Sequence, residues 1–257
     1  MAGAVSCLHL TTPRAEQEWI TQQLVEPVRI PRLRLWTYPA PGVVLGCSQS
    51  GLLPQVQQAA PPDCEIALRR AGGGAVLTGP WMLSASVVLP PEHRLLSGGL
   101  VASYHWLGAL HAGLLRDMGI DAHAIPPEEL SHSRGKPGLA WACFGGLSPW
   151  EVVVGGRKMV GLAQFRRRNG VLLTSGTLIF RPNWQLLCQA LERPPADAMA
   201  LDDCTLSCAD ALGVPVPVEA LARDLFDTFS DIVGRTVEDD RPERPRFAPR
   251  EAGHPAP

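Results

Sequence analysis

The chain has 257 residues, 46% of them hydrophobic and 19% charged, enough for one large domain with its own core. A formal net charge of −2 provides no overall field for nucleic acid, and the 23 basic residues are scattered apart from the run Arg166 to Arg168, so no nucleic-acid partner is expected. The opening "MAGAVSCLHLTTPRAEQEW" lacks a basic segment followed by an apolar run, and no stretch approaches the roughly 18 uninterrupted apolar residues of a membrane span, so a soluble cytoplasmic protein with no membrane partner is expected.

In chain order, "RAEQEWITQQLV" (14–25) predicts an opening helix, and "RLRLWTY" and "GVVLGCSQ" predict strands split by "PAPG". "GLLPQVQQAA" predicts a second helix. "CEIALRR" reads as a strand ending in a glycine run, and "MLSASVVLP" alternates as a half-buried strand would. From Gly98 to Met118, apolar residues at Leu100, Tyr104, Leu107, Leu110, Leu114 and Leu115 form a helical stripe, which should pack on the sheet. The Gly, Pro and Ser-rich segment 125–150 is too long for an ordinary connection and reads as a functional loop. "WEVVV", "KMVGLAQFRR" and "GVLLTSGTLIF" then form a meander, with Asn169-Gly170 as a hairpin signal. After Pro182 the texture is helical ("WQLLCQAL", "VEALARDLFDTFSDIVG"), and the end resembles a disordered Pro-rich tail. The expected layout is a catalytic domain over 1–237, helical from about 182, followed by a tail over 238–257.

Seven cysteines at irregular spacing are an odd number, and reduced thiols are expected. Cys204 and Cys208, four apart, could share a helix face, but no further Cys or His pair completes a metal site, so no metal is expected.

Two motifs carry chemistry. In "RRAGGGAV" (Arg69 to Val76) three glycines follow a strand; bare backbone can adopt positive φ and bring N–H groups up to an anionic or carbonyl ligand, with Arg69 or Arg70 supplying charge. A simple turn needs only one or two glycines. In "GRKMVGLAQ" a lysine stands at the mouth of a strand, and Gly161 and Ala163 leave room for a ligand beside it. Of the 23 basic residues only Lys136 and Lys158 are lysine, which favours a site at 158 needing a compact ammonium. Lys136 has no such support from its surroundings.

These motifs, with "RRRNGVLLTSGTLI" continuing the second, resemble the biotin/lipoate protein ligase superfamily, and within it the lipoate-attachment branch, over about Leu33 to Val233. The resemblance implies an α/β fold of the α+β type: a mixed, largely antiparallel sheet flanked by helices, with an acyl chain in a tunnel. It implies that the activated acyl group lies between the glycine loop and Lys158, with Arg70, Gly72, Gly73, Gly74, Ala75, Gly161, Ala163, Gly176 and Thr177 as substrate contacts.

Two routes exist among such enzymes. Lipoate ligases use ATP and Mg to make an acyl-adenylate from free lipoate or octanoate, and usually have the triple glycine. Octanoyl transferases take octanoate from acyl carrier protein and need no cofactor; one branch passes it through a cysteine in a Cys-Phe pair, where this chain has Cys143 in "ACFGGLSPWEVVV". A thiol with an ammonium nearby ionises readily and exchanges thioesters without ATP. Transfer through Cys143 and Lys158 to a lysine of a lipoyl-type domain is therefore expected, with the ligase and a non-catalytic acyl-binding protein as alternatives. The chain departs from the pattern at Thr78-Gly79, where relatives usually have His-Asp, and at Ser175, where many have His.

Overall fold

The computed structural model describes residues 7–131 and 138–233. Its first half comprises β1 (Leu8–Leu10), α1 (Pro13–Gln23), β2 (Arg32–Thr37), β3 (Gly42–Leu45), α2 (Leu53–Ala59), β4 (Glu65–Leu68), β5 (Val76–Thr78), β6 (Met82–Leu89) and α3 (Gly99–Asp117). There follow β7 (His123–Ala124), β8 (Val152–Val154), β9 (Arg157–Arg167), β10 (Gly170–Leu178), α4 (Trp184–Ala190), α5 (Pro195–Cys204), α6 (Cys208–Leu212) and α7 (Val218–Val233). Seven strands form one sheet in the order β1-β2-β6-β10-β9-β8-β7, antiparallel except at β1/β2. A smaller sheet, β4-β3-β5, pairs β3 parallel with β4 and antiparallel with β5. The mixed, largely antiparallel architecture is the one expected.

Apolar residues cover both faces of the large sheet. One face brings Trp36, Met82 and Leu172 against Val43, Leu45 and Leu77 of the small sheet and against Trp19 and Leu187 of α1 and α4. The other packs Leu35, Val87 and Leu173 against Leu107 and Leu110 of α3 and Leu225 and Phe229 of α7. Thr12 caps α1, its hydroxyl accepting from Ala15 N at 3.3 Å, with Pro13 in the first turn where no N–H is needed.

The structure corrects several local readings. All eight residues of β6 are buried, so it is not a half-exposed strand. Its serines alternate because they are paired, Ser86 accepting from Trp36 Nε1 at 3.1 Å. The Asn-Gly step does not form the hairpin turn: Arg167 pairs with Gly170, which leaves Arg168 and Asn169 as the connection, and neither Asn169 nor Gly170 has positive φ. Gly170 is there for space, since a Cβ would lie 2.5 Å from Val28. The left-handed two-residue turn is at Gly155 and Gly156 (φ +54° and +77°), joining β8 to β9. Finally, "GVVLGCSQ" is a strand only to Leu45, after which Cys47–Leu52 is 3₁₀. Cys204 and Cys208 share no helix face, because one ends α5 and the other begins α6. No described helix is long and apolar enough to cross a membrane. Lys136 and the segment 238–257 lie outside the described residues.

Candidate active site

The glycine run and the cysteine loop meet through their backbones. Ala75 N donates to the Trp141 carbonyl at 2.8 Å, and Cys143 N donates to the Ala75 carbonyl at 2.8 Å. Ala75 and Ala142 form a parallel bridge, and a 3₁₀ turn, Cys143–Gly145, begins at the cysteine. Two of the three glycines are demanded by this geometry. Gly73 has φ +95°, and a Cβ on Gly74 would stand 2.6 Å from the Trp141 carbonyl oxygen, closer than backbone can tolerate. Gly72 has nothing within 4 Å of an added Cβ.

Lys158, near the start of β9, is 2% exposed. Its ammonium donates to the Cys143 carbonyl at 2.6 Å and the Gly146 carbonyl at 3.0 Å, and lies 2.7 Å from Glu151 Oε2. The Phe144 ring is 5.2 Å away. Glu151 is equally occupied: Oε2 accepts from Ser148 N at 2.8 Å and Oε1 from Leu162 N at 3.1 Å. Three protons thus meet three acceptors in separate directions, which an ammonium can satisfy and a planar guanidinium cannot. Lys158 sits behind the cysteine residue, bonded to its backbone. Trp150, just before Glu151, holds φ +68°, an uncommon conformation for a bulky residue.

Cys143 stands on a wall shared by two spaces. Behind it is an inner cavity between the two sheets, lined also by Met82, Phe144, Gly161, Leu172 and Gly176. In front is a cleft lined by Gly72, Gly73, Gly74, Tyr104, Ser148 and Glu151. Ala163, Leu162 and Arg69 line both, and exposed Arg70 lies on the inner cavity's rim. Of the residues expected to contact substrate, Ala75 is buried beside the cavity rather than in its wall, and reaches the site through its bond to Cys143. Thr177 is buried and lines neither space. Along β10 the cavity face carries Leu172, Thr174 and Gly176, so Thr177 falls on the opposite face.

Residues 11–230 match the model of the lipoyl protein ligase A/B catalytic domain. The chain belongs to that family. Among its relatives is octanoyltransferase LipM of Symbiobacterium thermophilum, 33% identical over 215 residues (80% of this chain and 76% of the relative). LipM of Kyrpidia tusciae is 29% identical over 214 residues, covering 81% and 77%. In fold, the chain is similar to the bipartite lipoate protein ligase of Thermoplasma acidophilum (TM-score 0.60, 19% identity, 87% of this chain and 81% of that one).

At the two positions where the sequence departs from the pattern of the resemblance, Thr78 and Ser175, this lipoyl-ligase-family chain has neutral groups held by hydrogen bonds. Thr78 Oγ1 donates to the Gly42 carbonyl at 3.2 Å, and Ser175 Oγ pairs with His111 Nε2 of α3 at 2.8 Å. Burial depresses His111 to about 4, so the imidazole is neutral. Sequence reasoning missed two groups. Glu151, quoted only as part of a strand, is the counter-charge of Lys158; an acid heading an apolar run was the signal. Glu16 of α1 lines the inner cavity, one oxygen accepting from Tyr38 Oη at 2.8 Å. Burial lifts its carboxyl to about 7, against the opposing pull of the Tyr38 hydrogen bond and the Arg69 charge. Among the described residues no group of three His, Cys, Asp or Glu is arranged to hold a metal.

Proposed function

We propose that this chain transfers an octanoyl group from a carrier-protein thioester to a lysine of a lipoyl-type domain, through a thioester on Cys143. The observation supporting this is the place of Cys143: its residue forms part of both the largely apolar cavity between the sheets and the cleft at the glycine loop. The cavity suits the acyl chain, and the cleft suits the lysine amine that arrives. The likeness to octanoyltransferases of the same family points the same way.

In the first step the Cys143 thiol loses its proton and the thiolate sulfur attacks the donor carbonyl. The carbon–sulfur bond to the donor arm breaks, and the departing thiolate takes up, through water, the proton that Cys143 gave up. In the second, a neutral lysine amine attacks the acyl-cysteine carbonyl, the Cys143 sulfur leaves, and the amine proton returns to that sulfur or to water. One acyl bond replaces another in each step, so neither ATP nor another cofactor is consumed. Lys158, its charge matched by Glu151, fixes the Cys143 carbonyl and so positions the residue that carries the sulfur, and backbone N–H groups of the glycine loop, whose residues line the cleft, would serve as donors to the oxyanion.

The experiment is intact-mass analysis after incubation with octanoyl carrier protein. A hydroxylamine-labile adduct is expected on the wild type and not on Cys143→Ser. In parallel, a purified lipoyl domain is offered either octanoyl carrier protein without ATP or free octanoate and lipoate with ATP and Mg. Modification only with ATP, indifferent to Cys143→Ala, would establish a ligase instead; an acyl ligand bound without turnover in either tube would establish a binding protein.

A further inference from the structure

The run Arg166 to Arg168 divides in the fold. Arg166 turns to α3, donating to the Gly99 carbonyl at 3.2 Å and to Ser103 Oγ at 3.0 Å. Arg167 and Arg168 are exposed at the end of β9 and in the turn after it. Arg167 shares its face of β9 with Gly161, Ala163 and Phe165, a series that begins in the wall beside Cys143. Ala163 to Arg167 is four residues of strand, about 13 Å. The Arg167 guanidinium lies 4.9 Å from the Phe165 ring centre, which leaves its edges free for an anion.

A surface cleft joins these groups to the acyl cavity. Gln17, Arg69 and Arg70 line both the cavity and this cleft, and Phe165 and Arg167 line the cleft and a neighbouring hollow containing Arg168 and Asn169. Four arginines (14, 69, 70 and 167) and one carboxylate, Glu18, line the cleft. The ion pairs found between described residues are Arg14–Glu65, Lys158–Glu151 and Arg181–Asp210, so Arg70, Arg167 and Arg168 have no acidic partner within the described chain. In a protein of net charge −2, three exposed cations without an acidic partner among the described residues, lining one surface hollow beside the cleft, make a local positive field opposite in sign to the whole.

We propose that this face, Arg70, Arg167 and Arg168 beside Phe165, is the docking surface for the acyl donor, and that the donor is an acidic carrier protein. The inference rests on the transfer reading above. Docked here, the carrier places its arm along the Ala163–Phe165 side of β9, with the thioester at Cys143 and the acyl chain in the cavity.

The test compares the wild type with Arg167→Ser/Arg168→Ser, which leaves the cavity wall and the Cys143 loop untouched. Three donors are used: octanoyl carrier protein, octanoyl coenzyme A, and an octanoyl thioester of N-acetylcysteamine, which has neither phosphate nor protein. The rate of Cys143 acylation is read by intact mass. The double variant should lose about tenfold or more in kcat/KM with the carrier donor, while both small thioesters react as with wild type, and added salt should weaken the wild type towards the variant. Equal rates with the carrier would overturn the proposal. A loss of the same size with coenzyme A would replace the protein surface by a phosphate site, and a loss confined to transfer onto the lipoyl domain would make this the acceptor's face. Failure of the wild type to acylate Cys143 from any of the three would instead remove the transfer reading itself.

Discussion

The Lys158–Glu151 pair allows a quantitative test that separates scaffold from chemistry. Both side chains are 2% exposed, with 2.7 Å between charged atoms. Lys158→Met alone leaves a buried carboxylate facing no cation, and Glu151→Leu alone leaves a buried ammonium; removing one member of such a pair costs about 3–5 kcal/mol. In a protein of this size that is a fall in Tm of roughly 6–20 °C. The double variant Lys158→Met/Glu151→Leu has no charge to strand, but it is not neutral. Ser148 N, Leu162 N and the carbonyls of Cys143 and Gly146 lose partners that the native pair satisfies, at about 1–3 kcal/mol for each group that finds no substitute. The double variant should therefore cost about as much as either single one, with a coupling energy of roughly 3 kcal/mol in chemical unfolding. Additivity to within about 0.5 kcal/mol would show that the two charges do not face each other and refute the reasoning. Cys143 acylation by the folded double variant reads the other role. Loss of acylation would show that the reaction needs Lys158, through its charge or its hold on the Cys143 carbonyl, and acylation at the wild-type rate would remove Lys158 from the reaction.

Lys158→Arg should fail to restore acylation and should lower Tm, because a planar fork cannot reach acceptors in three directions; near-normal turnover would remove that argument. Gly73→Val should abolish acylation, since it forces a β-branched residue to φ +95° with its Cβ 2.9 Å from Arg69 Nη2. A folded variant that is still acylated at the wild-type rate would reduce the loop to a turn. Glu16 contributes a pH dependence of stability: its folded value of about 7 lies above the ordinary 4.5, so its contribution is greatest below 4.5 and is lost as pH rises through 7. His111, at about 4 against 6.5, acts in the opposite sense, its contribution being present above 6.5 and lost as pH falls through 4. His111 is common to both proteins and cancels, so Glu16→Gln should gain up to about 3 kcal/mol relative to wild type between about pH 4.5 and 8, with less than about 1 kcal/mol of that above pH 6.5, measured by denaturant unfolding. Parallel profiles for the two proteins would count against a protonated Glu16.

The meander from β8 to β10 and the long helix α3 were legible because each is a local pattern, an alternation or a stripe, interrupted by glycine. The burial of β6 on both faces was not, since nothing in "MLSASVVL" says that a second sheet will cover it. The Asn169-Gly170 signal misplaced the turn by one residue because Gly170 answers to the side chain of Val28, more than a hundred positions away. Cys143 and Lys158 were marked by composition and by resemblance, yet the counter-charge of Lys158, Glu151, is defined by distances of 2.7 Å to one partner and 3.1 Å to another. Such an arrangement exists only after the bulge between Val152 and Val153 has set the register of β8 on β9. The division of the arginine run was hidden for the same reason: three identical letters acquire different roles from the pleat.

The cysteine's place is set by a hydrogen-bonded ladder, Ala75 to Trp141 and Cys143, which in effect adds a short extra strand beside β5. Main-chain pairing does not read side-chain identity. Evolution can therefore redraw the cavity walls, lengthening or narrowing the space for a different acyl tail, without displacing the sulfur from the glycine run. The chemistry is inherited through the backbone, while the selectivity is free to drift in the side chains around it.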